Sequence, residues 1–388
     1  MSRSRRAGAL ALALTALTAL ACGDASEAAR RDVATWSVDS SATLTIGRDA
    51  SDDAGVTFEL ITGATRLPDG RLLVADLGDA PLTLFDADGR LLRVVARSGQ
   101  GPGEITYLAR LFRCGGRLFT YDIDGRRISE FSLEGEYVGE FRFALPDGQQ
   151  APYASACGST GRFLHLGWGA RGVPTAGYHR DTVPVWITAT PSGAPMVIDS
   201  VPASERWGQT HQGRIVGSRP LPLGKQPLAA VGSESFYVAT GDAFEVLVYD
   251  SSGVSRGSYR LSDSVPAITA ADVKDFVEEQ VAAAGERARP GIEREYASIT
   301  FPERHGAVAG LLVDADGLLW MRGFAAPTAA DALWHIVDTD GREVARVALP
   351  RRLVVFEVGR DYVLGKQVDV DQGVPILQRW RLRRGVDR

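Results

Sequence analysis

The side chains best suited to chemistry are scattered along this chain. His165, His179, His211, His305 and His335 all lie in its second half or close to it, and none forms His-x-His or His-x-x-x-His. Those are the short spacings that bring two imidazoles onto one metal ion. His211 and His305 fall in connecting segments and could converge as an acid–base pair or on a metal. Taken singly, each reads as a surface or hydrogen-bonded loop histidine. Arg171, Arg214 and Arg322 add forked donors that match carboxylate or phosphate, and Trp168 adds a stacking surface. Trp168, Arg171, His211, Arg214, His305 and Arg322 are therefore the candidate ligand-binding set, and the chemistry they suggest is recognition of a polar ligand. No residue is assigned a catalytic role, because neither a Gly-x-Ser-x-Gly elbow nor a Cys–His arrangement occurs.

Metal and cofactor chemistry has little to draw on. Asp-x-Asp-Gly recurs at Asp86, Asp122, Asp314 and Asp338, but no downstream Glu completes a calcium loop, so these read as turns. Gly101-Pro102-Gly103 is not a phosphate loop, since no helix follows it and it carries no Lys. Neither a metal nor a cofactor is expected. A net charge of −5 argues against a nucleic-acid surface. Lys225, Lys274 and Lys366 are the only lysines and Asn is absent, so no site can depend on an Asn ligand.

The chain opens as an export signal. Arg3, Arg5 and Arg6 precede an uncharged run from Ala7 to Ala21, which is too short to span a bilayer that needs about 20 apolar residues. Ala19-Leu20-Ala21-Cys22 then reads as a lipobox with Cys22 lipidated, or as a plain Ala-x-Ala site cut at the same bond. A Cys placed directly after a small residue favours lipidation, and acyl chains would anchor the protein to a membrane. Gly23 in the second mature position, where an Asp retains lipoproteins at the inner membrane, points to the outer membrane. The expected organisation is a signal peptide over 1–21, a tether over 22–40 and a folded domain over 41–388. Cys114 and Cys157 each end a first strand just before its hairpin, in matching contexts. A disulfide between them and two free thiols both fit.

The elements that must position these residues come from a repeat. Residues 65–104 spell one four-stranded unit, with short apolar strands around Ala64–Leu67, Arg71–Asp76, Pro81–Phe85 and Leu91–Ala96, and Gly-containing hairpin turns. Looser copies follow from Leu108, Pro152, Pro227 and Val308, and a sixth, from Leu353, stops after three strands. A lone strand at Thr43–Ile46 would complete that sixth unit and leave no open edge. The expected fold is an all-β, six-bladed β-propeller closed by an N-terminal strand, with one helical insertion between blades four and five. Within that insertion, Thr269 and Asp272 form a capping box. Val273, Phe276, Val277 and Val281 make one apolar stripe, and Gly285 is a stop.

Arg97-Ser98-Gly99-Gln100-Gly101-Pro102-Gly103-Glu104, the stretch Val313 to Arg322 and the ending Asp361-Tyr362-Val363-Leu364-Gly365 together resemble bacterial six-bladed β-propeller lipoproteins related to NHL and TolB-like repeats. The resemblance implies fold much more than activity. In a propeller, inter-blade crossovers and second-to-third-strand loops emerge on one face, which here would carry Asp76, Gln100, Glu104, Asp122 and Asp242 beside the candidate set. The expected role is a cell-envelope recognition module for a small molecule, glycan or peptide. A TolB-like scaffold for envelope proteins is the alternative, and a propeller hydrolase or lyase is the third reading.

Overall fold

A computed structural model describes residues 33–47, 56–147, 149, 152–158, 160–167, 175–261, 264–369 and 372–385. Two short strands come first, β1 (Ala34–Val38) and β2 (Leu44–Ile46). Blade one is β3 (Ile61–Arg66), β4 (Leu72–Asp76), β5 (Leu82–Phe85) and β6 (Leu91–Ala96). Blade two is β7 (Leu108–Cys114), β8 (Arg117–Asp122), β9 (Arg127–Phe131) and β10 (Tyr137–Phe141). Blade three is β11 (Pro152–Cys157), β12 (Phe163–Gly167), β14 (Thr182–Thr188) and β15 (Met196–Pro202), with β13 (Gly177–His179) inside its central loop. After β16 (Arg206–His211) and β17 (Arg214–Pro220), blade four is β18 (Leu228–Val231), β19 (Ser235–Ala239), β20 (Glu245–Asp250) and β21 (Ser255–Arg260). The helices α1 (Ala270–Ala284) and α2 (Arg289–Ala297) precede blade five, made of β22 (Val308–Val313), β23 (Leu319–Gly323), β24 (Asp331–Val337) and β25 (Glu343–Pro350). The last blade has β26 (Val354–Val358), β27 (Tyr362–Val368) and β28 (Pro375–Arg383).

Closure is by the N-terminal strands. β2 pairs antiparallel with β28, Thr45 opposite Gln378, and supplies the fourth strand of blade six. β1 does something the sequence did not suggest. It runs parallel to β25 through Ala34–Trp36 and antiparallel to β28 through Ser37 and Val38, so it stitches blade five to blade six. The folded sheet thus takes in residues read as tether. Trp36 is buried there, 5.8 Å from the Trp320 ring and under the Arg384 guanidinium at 4.7 Å.

Among the described residues the hydrophobic core forms six clusters, one at each blade interface. Leu73, Leu84, Leu108 and Phe131 join blades one and two; Ala239, Val246, Met321 and Val337 join four and five. Because blades are packed on both sides, middle strands are largely buried, and β4, β5, β9 and β12 are buried along their whole length. The smallest cluster among the described residues lies between blades two and three, around Phe119 and Phe163. That interface is also crossed by a disulfide joining Cys114 to Cys157, with Cα atoms 5.5 Å apart.

The aspartates of the hairpin turns are consumed locally. Asp86 Oδ1 accepts from the amides of Asp88 and Arg90 at 2.9 and 2.8 Å, and Asp338 Oδ1 does the same for Asp340 and Arg342 at 2.9 Å. The following Gly89 and Gly341 adopt left-handed φ of 87° and 81°.

The segments added to the blades hold more structure than the single helix the sequence suggested. The helical insertion has two helices. α1 begins on the Thr269–Asp272 capping box and stops at Gly285, whose amide bonds the Val281 carbonyl at 2.7 Å. α2 packs back through Tyr296, edge-on to Phe276 at 5.0 Å. The other addition is a separate three-stranded sheet in the order β13-β16-β17. Its two-residue turn, Gln212-Gly213, has both residues at positive φ, 50° and 74°, the signature of a tight hairpin.

Candidate functional site

The crossovers and second-to-third-strand loops emerge on one face, and the additions sit there. The Arg180 guanidinium, just after β13, reaches the Thr240 carbonyl at 2.8 Å and the Asp242 carboxylate at 2.6 Å in the central loop of blade four. Lys225 completes that ion cluster, 3.4 Å from Asp242 and 3.6 Å from the buried Glu205. Arg219 on β17 pairs with Glu295 on α2 and lies over the Tyr296 ring at 5.1 Å, which ties the added sheet to the helices. At its other edge α1 is tied to the end of blade five. Glu279 accepts from Arg351 at 2.8 Å, and Asp272 stands 3.5 Å from His305. Blades three to five are thus capped, whereas blades one and two keep short loops.

The candidate set divides accordingly. His211 and Arg214 are brought together, directly opposite one another across the β16–β17 turn, and both are exposed. His305 is elsewhere and fully buried beneath α1, with its ring stacked on Phe324 at 3.4 Å. Burial lowers its pKa, with the Asp272 carboxylate opposing. Arg322 is half-buried on β23, and its guanidinium donates to the Arg351 carbonyl at 3.3 Å. Desolvation, helped by the charge of Arg351, lowers its pKa. Trp168 and Arg171 lie outside the described residues, as does Cys22.

Asp76 and Asp122, expected on this face, have the same job in consecutive blades. Asp76 accepts from the amides of Glu59, Leu60 and Gly78 at 3.1, 2.8 and 2.9 Å. Asp122 accepts from those of Thr106, Tyr107 and Gly125 at 2.9, 3.1 and 3.0 Å. Each fixes where the chain enters its blade. Three backbone donors per carboxylate leave little for a ligand.

Gln100 and Glu104 belong to a more open place. The Gly-rich crossover from blade one to blade two is folded around Arg127, whose side chain is only 10 % exposed. Arg127 donates to the carbonyls of Gln100 (3.1 Å), Gly101 (3.3 Å), Gly99 (3.4 Å) and Glu104 (2.6 Å), and to the Glu140 carboxylate at 3.1 Å. Its Nε also faces buried Asp122 at 3.4 Å. Glu104 folds back so that its carboxylate accepts from Gly101 N at 2.8 Å. It fills the space a side chain at Gly99 would need.

Over this floor lies a polar cleft of about 310 Å³ lined by Gln100, Thr106, Asp124, Gly125, Arg127, Glu140 and Arg142. The two terminal nitrogens of Arg127 are taken up by loop carbonyls and Glu140, and its Nε is buried, so the groups left to meet a ligand are Gln100, Thr106, Asp124 and Arg142, all exposed. They mix donors with acceptors and one charge of each sign, which suits a polar, multiply hydrogen-bonding ligand. Sequence reasoning named Gln100 but missed Asp124, Arg127, Glu140 and Arg142. Their one signal was the Asp-x-Asp-Gly turn, read as a turn and nothing more.

The remaining histidines are structural. His165 is enclosed by Phe143, Phe163 and Trp186, with Nε2 3.1 Å from Thr188 Oγ1, and burial holds its pKa down at about 3. His335 meets Glu343 at 2.6 Å. His179 meets Ser218 Oγ at 3.1 Å, and Arg206 Nε donates to the same oxygen at 2.9 Å, a polar cross-link within the added sheet.

Ring, closure and polar loop face define a six-bladed β-propeller with a partly capped face. Comparison with known proteins agrees. Residues 61–154 match the DUF5128 family, described as a 6-bladed beta-propeller. No curated protein matches the chain. Among solved structures it is similar to a member of the DUF4221 family from Bacteroides vulgatus, at 9% identity over 91% of this chain and 100% of that one, with a TM-score of 0.52. It is also similar to a Bacteroides fragilis protein described as exported (12% identity, 91% and 99% coverage, TM-score 0.46) and to a gluconolactonase from Xanthomonas campestris (12%, 84% and 88%, 0.44). At such identities the likeness concerns the fold alone. No helix among the described residues is long and apolar enough to cross a membrane.

Proposed function

We propose that this chain is a lipid-anchored propeller of the cell envelope that recognises a small polar molecule, glycan or peptide on its loop face. The observation that carries the reading is the cleft over Arg127, where a floor fixed by backbone hydrogen bonds presents Gln100, Thr106, Asp124 and Arg142. A pre-set floor lowers the ordering cost of binding. The test is a thermal-shift screen of the mature, delipidated domain against sugars, peptides and polar metabolites. A ligand should raise the melting temperature, and Arg142→Ala with Asp124→Ala should remove the response without altering the unliganded melt, since both side chains are exposed. A screen with no response, or a response that survives both substitutions, overturns the reading. Anchoring through Cys22 rests on the Arg-rich start and the Ala19-Leu20-Ala21-Cys22 junction. Cys22→Ser should release the protein from the membrane fraction.

A second reading, a docking scaffold for other envelope proteins, draws on the outer strands. Neighbouring exposed apolar pairs occur there at Leu91 and Leu92, Tyr137 and Val138, and Met196 and Val197. It requires one envelope protein that co-purifies with wild type and is lost from a Leu92→Glu, Val138→Glu, Val197→Glu variant.

A further inference from the structure

Four Asp-x-Asp-Gly turns punctuate the chain, at Asp86, Asp122, Asp314 and Asp338. In three of them the second aspartate is paired with arginine. Asp88 stands 3.5 Å from Arg90, Asp340 is 2.6 Å from Arg342, and Asp316 holds Arg360 at 2.9 Å and Arg384 at 2.8 Å. Those three turns join first to second or third to fourth strands, on the face opposite the crossovers. The remaining one joins β8 to β9 on the loop face. Its second aspartate, Asp124, has neither an ion pair nor a side-chain hydrogen bond among the described residues. Arg126 has the spacing that supplies the partner in Asp88–Arg90 and Asp340–Arg342, yet it adopts a left-handed φ of 50° and does not pair with Asp124.

Asp124 lines the cleft of about 310 Å³ over Arg127, and the other groups there divide by sign. Glu140 accepts from Arg127 through Oε2 and has Oε1 without a donor among the described residues. Thr106 donates its hydroxyl proton to the Gly99 carbonyl at 3.1 Å, so it meets the cleft as an acceptor. Asp124, Glu140 and Thr106 are thus three acceptors, and a primary ammonium carries three N–H donors. Against them stand the side-chain amide of Gln100 and the guanidinium of Arg142, which has no acid beside it among the described residues. A guanidinium fork matches a carboxylate. Solvated surface charges would explain Asp124 or Arg142 taken singly. They do not explain the pattern across the four turns, in which the second aspartate left unpaired is the one that shares a cleft with an unpaired arginine.

We propose that this cleft takes a small dipolar ligand with a free ammonium and a free carboxylate, the chemistry of an α-amino acid or a dipeptide. Asp124, Glu140 and Thr106 receive the ammonium, and Arg142 with Gln100 receives the carboxylate. That assignment rests on the cleft being the ligand site, and it excludes a neutral sugar as the occupant.

The test is isothermal titration and thermal melting of the mature full chain with the standard free amino acids and alanyl-alanine, alongside glucose and maltose. Any amino acid that binds is tried again as its N-acetyl form, which lacks the ammonium, and as its amide, which lacks the carboxylate. The ligand should raise the melting temperature by about 3–4 °C at a hundred times Kd. Each cap should weaken binding by roughly tenfold or more, the value of a charged hydrogen bond. Asp124→Asn should weaken the free ligand but not its N-acetyl form, and Arg142→Gln should weaken the free ligand but not its amide. A capped ligand that binds as well as the free one overturns the proposal, and so does a preference for the free ligand that survives both substitutions. A sugar that binds where no amino acid or dipeptide does, and that Asp124→Asn or Arg142→Gln weakens, overturns the dipolar ligand and leaves the cleft as a recognition site. Silence from every probe overturns both.

Discussion

The guanidinium of Arg127, at the start of β9, hydrogen-bonds the carbonyl of Glu104 at 2.6 Å and so fastens blade two to the crossover that leads into it. Four carbonyls of one Gly-rich loop converge on this single side chain. The loop's own backbone bonds are few, Gly99 N to the Ile105 carbonyl at 3.3 Å, Ile105 N to that of Arg97 at 3.0 Å and Glu104 N to that of Gly101 at 3.1 Å, and the cation adds four more anchors.

Arg127→Ala should cost about 3–5 kcal/mol, in the range for breaking a buried charged network, because it takes the donor from the carbonyls of Gln100 and Glu104 and leaves Asp122 without its cation, while Gly99 and Gly101 keep Thr106 Oγ1 and Glu104 N. Arg127→Lys should recover only part of this, since an ammonium cannot span the same fan of acceptors. Urea denaturation measures both. A loss under 1 kcal/mol for the alanine variant would show that the loop is shaped by other contacts.

The Cys114–Cys157 bond closes a sequence separation of 43 residues across the blade interface with the smallest apolar cluster. Loop-closure entropy assigns such a cross-link about 4 kcal/mol, or about 5 °C in a domain of this size. A double Cys→Ser variant at these positions should melt lower by that order. Wild type should fall to the same temperature in reductant, and the variant should not respond to reductant.

His165 makes the fold sensitive to acid. Burial holds its pKa at about 3 against an ordinary 6.5, so between those values the unfolded chain binds a proton that the folded one excludes. Its contribution is intact above pH 6.5 and falls by about 1.4 kcal/mol per unit as pH drops towards 3. His305, also lowered, acts in the same direction. Melts between pH 6.5 and 4.5, above the range where most carboxylates titrate, should show this decline, and His165→Gln should flatten it. An unchanged slope in that variant would assign the acid response to other groups.

Trp36 tests how the ring is closed. It lies in a parallel pairing with blade five, among Trp320, Trp334 and Trp380. Trp36→Ala should cost about 3–5 kcal/mol and, by loosening the strand that joins blades five and six, promote aggregation through exposed edges. Light scattering on heating would report it. A variant as stable as wild type would mean that β2 alone closes the ring.

Most of the blade architecture was legible because each blade is a local object. Within any one blade the apolar runs and their turns, such as Asp86 in blade one or Asp314 and Asp338 in blade five, fall in a stretch of about forty residues, and period and turn chemistry need no distant partner. The three-strand last copy and the strand at Thr43–Ile46 even revealed closure, because an unpaired edge demands a partner. The two-residue turn at Gln212-Gly213 was equally local but went unread, since the strands beside it are poor in apolar alternation.

The site was different. By itself the sequence determined the repeat, the blade count, the helix capped by Thr269 and Asp272, and the face on which the crossovers gather. Tertiary structure alone decided that Arg127 is engaged by backbone carbonyls, that His305 is buried while His211 is exposed, and that Arg322 lies beside Arg351. The reason is physical. Strand and turn preferences are set by neighbours along the chain, whereas the burial and charge balance of a side chain are set by elements that meet only when the ring has closed.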